Sequence, residues 1–125
     1  MDALIKVGGV YCTALVVFHI LFWKIFHWDR ELPKLNRLNR AIMQVLNISL
    51  TFVFLIIAYV SFVHTSELLA TPLGHTLLGA IALFWLFRAV QQIVFFKLEH
   101  WVSWVFLVFF LGGAAIYGLP LVDQI

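Results

Sequence analysis

A chain of 125 residues has room for one domain, 1–125. Its apolar fraction of 64% and charged fraction of 11% stand against about 45–50% and about 25% in soluble domains, so a soluble fold of this length is excluded and lipid takes the role of solvent. Eight basic against six acidic residues give a formal charge of +2, and the basic residues have a topological explanation, so no nucleic-acid partner is implied.

A bilayer core of about 30 Å needs roughly 20 helical residues per crossing. Four apolar runs meet that length, at about 4–26, 41–63, 73–96 and 101–121. Backbone polar groups in hydrocarbon must be satisfied internally, so each is expected to be a helix. The expected fold is all-α: a polytopic membrane protein built as an antiparallel bundle of four transmembrane helices. The connections are about 14, 9 and 4 residues long, too short for an extramembrane domain.

The opening MDALIKVGGVYC lacks the basic n-region of a secretory signal, and its apolar run continues past the length of an h-region, so the first segment reads as a retained span. Cys12 is the single cysteine, which excludes an intrachain disulfide and reads as a small packing residue. Gly8 with Cys12 and Gly9 with Thr13 permit close helix approach, as do Ala114 and Gly118 in the fourth span. Tyr11, His19 and His27 recur every eight residues, so they share one face. His19 lies at membrane depth, whereas His27 reads as an interface residue.

The first connection carries Arg30, Lys34, Arg37 and Arg40, with Lys24 just before it. These form a membrane-surface set suited to anionic headgroups. Leu32, Leu35 and Leu38 recur every three residues among polar ones, an amphipathic pattern that suits an interfacial segment; a plain positive-inside loop is the simpler expectation, and a surface for a cytoplasmic partner the next. Pro33 marks a turn or the first turn of that segment. Trp23, Trp28, Trp101 and Trp104 fit aromatic belts. In the second span, Gln44, Asn47 and Thr51 fall on one face in its cytoplasmic half.

The second connection, HTSELLATPLGH, holds His64, Glu67 and His75, a donor set suited chemically to zinc or another divalent metal, though at no strong motif spacing. Helix capping by Ser66 or Thr71 and a helix start at Pro72 explain the same loop without a metal. The third span contains Arg88 with Gln91 and Gln92, and no carboxylate shares the depth of Arg88. An arginine there needs an anion, carbonyls, water or a route to the interface. Glu99, His100 and Ser103 open the fourth span. His64 with His75, or His27 with His100, are the pairs that a haem at an interface would use, and each reads equally as interfacial polar residues.

Basic residues gather at the first and third connections, Lys97 included, so the expected orientation places those inside and both termini outside the cytoplasm. A bacterial inner membrane is the expected location. His19, Asn47, Thr51, Arg88, Gln91 and Gln92 form the candidate ligand or ion cavity, because polar groups within spans are costly and mark function. Interhelical structural glue is the competing explanation. No GxSxG, HExxH or phosphate-binding glycine loop occurs, which weighs against an enzyme. The function expected first is a non-enzymatic membrane component that binds a partner membrane protein, a second copy or a lipid-like ligand. A small oligomeric transporter or channel with a cytoplasm-facing cavity around Arg88 is the alternative, and a haem or quinone redox protein stands third.

Overall fold

Only helices and closed barrels satisfy a backbone in hydrocarbon, and this chain takes the helical route. The computed structural model describes residues 1–124 as all-α, with no strand among them. Helix α1 spans Asp2–Ile20. Two single turns follow, α2 (Phe22–Ile25) and α3 (Trp28–Glu31), then a 3-10 turn over Leu32–Lys34. The long helix α4 covers Arg37–Val63, and α5 covers Thr65–Ala70. Helix α6 runs over Pro72–Gln91 and passes directly into a π-helical turn at Gln92–Phe96. Helix α7 covers Trp101–Gln124. Four stretches, Asp2–Ile20, Arg37–Val63, Pro72–Phe96 and Trp101–Asp123, are long and apolar enough to cross a membrane.

These match the expected spans closely, and the ends have identifiable causes. The α ladder of the first span is interrupted at Leu21, whose N–H is shared between Val17 O at 3.1 Å and Phe18 O at 3.2 Å. Helical bonding then resumes through Ile25 N to Leu21 O at 2.8 Å. His27, in the left-handed region at φ 53°, ends the run. Asn36 caps α4, its Oδ1 accepting from Asn39 N at 2.8 Å.

The connection between α1 and α4 forms no interfacial helix. Pro33 sits inside the 3-10 turn and Leu35 is extended, so no continuous amphipathic helix forms. Leu32 is 2% exposed and Leu38, already in α4, is 69% exposed; the three leucines therefore do not share one face. Trp28 also departs from the belt role. It is 6% exposed and packs edge-on against Phe22 at 5.5 Å. Trp101 and Trp104 are exposed, as a belt requires.

The chain divides into two compact units. One is Gly9–Val60. The other joins Met1–Gly8 to the chain from Ser61 onward. In the second unit α6 and α7 form the principal helix pair. At one end of α7, buried Tyr117 meets Ser61 through a 2.9 Å hydroxyl contact. Gly8 leaves room for that phenol, since a Cβ there would lie 2.7 Å from the ring.

The α5–α6 junction is set by Thr71 and Gly74. Thr71 Oγ1 accepts from Gly74 N at 2.9 Å and caps α6, with Pro72 at the tolerated first position. A Cβ on Gly74 would collide with backbone atoms of Glu67 and Leu68. Rigid backbone cannot yield as a side-chain tip can. Gly74→Ala should therefore lower the melting temperature in detergent clearly, and by more than Thr71→Ala, whose lost cap costs about 1 kcal/mol. Gly112→Ala, with nothing within 4 Å of the added carbon, should not lower it. Thermal unfolding of the three variants side by side checks the order.

Candidate ligand-binding site

The sequence offers six polar residues within three spans as one candidate cavity. The structure distributes them over the two units: His19, Asn47 and Thr51 in Gly9–Val60, and Arg88, Gln91 and Gln92 in the other.

In Gly9–Val60, Asn47 Nδ2 donates to the backbone carbonyl of His19 at 3.2 Å. A carbonyl only accepts, so this contact fixes which end of the amide faces His19 and makes the other end Oδ1. That oxygen is buried and has no hydrogen-bond partner. One α-helical turn deeper, Thr51 Oγ1 donates to Asn47 O at 2.7 Å, a bond that satisfies the hydroxyl within its own helix. His19 Nδ1 donates to Leu15 O at 2.8 Å, one helical turn back. The imidazole stacks on Phe22 at 4.5 Å and meets Phe54 edge-on at 5.1 Å.

Two recesses flank this pair. The larger is an open groove of about 400 Å³, walled by Ile20, Trp23, Ile48, Phe52 and Leu55, with His19, Asn47 and Thr51 as its polar part. The smaller, of about 170 Å³, is walled by Phe22, Trp28, Met43, Leu46 and Leu50, again with His19 and Asn47. The bond between His19 and Asn47 is thus a polar partition between two apolar recesses.

In the other unit, Arg88 solves its charge differently. Its guanidinium carbon lies 4.4 Å from the centroid of Phe110 and 5.5 Å from that of Phe96, both within cation–π range. Phe110 also stacks on Trp85 at 5.9 Å. Arg88 Nη1 is buried without a hydrogen-bond partner. Gln92, buried at the start of the π turn, donates from Nε2 to Ser103 Oγ at 2.9 Å, and Ser103 in turn donates to Lys97 O. This chain ties the end of α6 to the start of α7 across a sharp turn where Lys97 has φ 58°. Gln91 is half-buried beside them.

Three further histidines, His64, His75 and His100, have local partners. His64 Nδ1 donates to Glu67 Oε1 at 2.9 Å, and His75 Nε2 donates to Leu69 O at 2.8 Å. The loop brings His64 to Glu67 but commits a nitrogen of His75 to backbone. No group of three metal-binding side chains gathers among the described residues. His100 Nδ1 accepts from Val102 N at 3.2 Å at the start of α7. Of the surface set, Arg30, Lys34 and Arg37 are exposed and Arg40 half-buried, and Lys34 pairs with Glu31 at 3.4 Å.

Sequence reasoning missed the aromatic partners of Arg88. Phe96 shares its face at i+8, a signal available in the sequence, whereas Phe110 lies on another helix and has none. The groove walls Ile48, Phe52 and Leu55 were equally silent, being ordinary apolar residues on a span. No known protein family, curated protein or solved structure matches this chain.

The geometry of Arg88 gives a direct measurement. A double-mutant cycle of Arg88→Met and Phe110→Leu should show a coupling of about 0.5–2 kcal/mol in detergent unfolding. Additive effects would remove the cation–π account of how Arg88 is held.

Proposed function

We propose that this chain is a non-enzymatic integral membrane component that binds a lipid-like ligand in the groove beside His19 and Asn47. The observation that carries the reading is the groove itself, an apolar trough whose polar part includes Asn47, an amide that gives one Nδ2 hydrogen to His19 O and is otherwise unspent. The bond to His19 O accounts for one end of the amide only, and the rest of the residue belongs to the wall of an open groove.

The groove has the two chemistries an amphiphile needs. Its walls are aliphatic and aromatic, and the second Nδ2 hydrogen of Asn47 remains available to an ester or other carbonyl once the first is spent on His19. The basic first connection supports a cytoplasmic position for its loop end, with both termini outside, as expected for a bacterial inner membrane. A small oligomeric transporter or channel is the second reading, favoured by the buried, unbonded Nη1 of Arg88. Against it stands the aromatic packing of the same guanidinium.

The discriminating variant is Asn47→Leu. The expected result is loss of co-purifying lipid, measured by native mass spectrometry, with a melting temperature in detergent lowered only as far as the lost donor to His19 O requires. Ile48→Trp, which fills the groove from its wall, should lose the same lipid. A lower melting temperature with lipid retained would make Asn47 structural glue and end this reading.

A further inference from the structure

The groove reading leaves its ligand's headgroup undefined, and the helix register supplies it. Asn47 Nδ2 and His19 O bring α1 and α4 level at one point. From that level toward the connecting loop, Lys24 lies five residues on in the chain and Arg40 seven residues back. At about 1.5 Å per residue these are rises of roughly 7.5 Å and roughly 10 Å, so the two cations stand at similar heights.

Both stand toward the loop end of the groove. Lys24 directly follows the wall residue Trp23 in the turn Phe22–Ile25, beyond the interruption at Leu21. Arg40 falls in the series Arg40, Gln44, Asn47, Thr51, spaced four, three and four, which is one helix face. All four of these residues are half-buried. Neither Lys24 nor Arg40 has an ion pair or side-chain hydrogen bond among the described residues, whereas Lys34 is paired with Glu31. The arrangement from the loop inward is therefore two free cations, a polar step at Asn47 and His19, and an apolar trough ending at Leu55. An anionic diacyl phospholipid has the same order: phosphate, ester carbonyls, acyl chain.

We propose that the groove between α1 and α4 selects an anionic phospholipid, whose phosphate meets Lys24 and Arg40 and whose acyl chain lies along Trp23, Ile48 and Phe52. This rests on the reading of the groove as a lipid site. It differs from general attraction of a basic loop to a charged leaflet, because it assigns the preference to two cations in groove register and not to Arg30 or Lys34.

Trp23 in the groove wall provides the readout. The full chain is reconstituted in vesicles of equal phosphatidylcholine and phosphatidylglycerol, with brominated chains on one lipid or the other. Quenching assigned to Trp23 is the difference between the native protein and Trp23→Phe. The expected result is stronger Trp23 quenching by brominated phosphatidylglycerol, a preference of about fivefold for each cation that meets the phosphate. K24Q/R40Q should abolish the preference while leaving quenching by both lipids, and each single variant should lose part of it. R30Q/K34Q, with the same charge change off the groove register, should keep it. Equal quenching by the two lipids in the native protein, or equal loss in R30Q/K34Q, overturns the headgroup assignment and leaves a lipid groove without selectivity. Absence of any Trp23-specific quenching by either lipid overturns the groove reading itself.

Discussion

Hydrocarbon makes a broken helix expensive, and α1 breaks at Leu21. Within an apolar span no water replaces a lost ladder bond, and each unsatisfied backbone group costs several kcal/mol. Here the N–H of Leu21 is shared between two carbonyls, and a donor from another helix arrives at the interruption, Asn47 Nδ2 at His19 O. The bond does more than close a gap. It sets the level at which α1 meets α4, puts a polar amide at depth, and divides the space between the helices into two recesses. The groove, its polar step and the register of its cations all follow from that one contact.

Much of the architecture was legible in the sequence because a bilayer leaves few alternatives. Runs of the spanning length have to be helices, and Pro72 and His27 sit at observed boundaries. What was not legible depended on rotation about the helix axis. Leu32, Leu35 and Leu38 suit one face of a helix only if the helix is continuous, and Pro33 with the capping Asn36 divides it. Trp28 reads as a belt residue by composition, yet the αL turn at His27 turns the chain back so that the indole packs against Phe22. Of the candidate site, the sequence supplied the polar residues but not their partners. Periodicity shows which residues share a face and leaves open what faces them.

Arg88 and Asn47 are both costly polar residues, and the contrast between them shows what structure adds. By sequence Arg88 is the more demanding, a permanent cation with no carboxylate at its depth. In the structure two aromatic rings face its guanidinium. An aromatic face attracts a cation and is itself apolar, so this solution needs no buried anion and incurs no second desolvation cost. The π turn that follows Arg88 is held by Gln92, Ser103 and the carbonyl of Lys97, so its neighbouring polar groups also have partners.

Asn47 is the milder residue in charge and, unlike Arg88, lies in the wall of an open groove. Its amide is half used: one end closes the α1 break and the other is left buried without a donor. A serine or threonine satisfies itself on its own preceding carbonyl, as Thr51, Thr13 and Thr65 do here, and carries little information about function. An amide held across a helix pair has no such local escape. Its geometry is fixed by the partner backbone, which leaves part of its hydrogen-bonding capacity unspent. Function at this site is therefore better argued from unspent hydrogen-bonding capacity beside open volume than from charge, and by that criterion Asn47 ranks above Arg88.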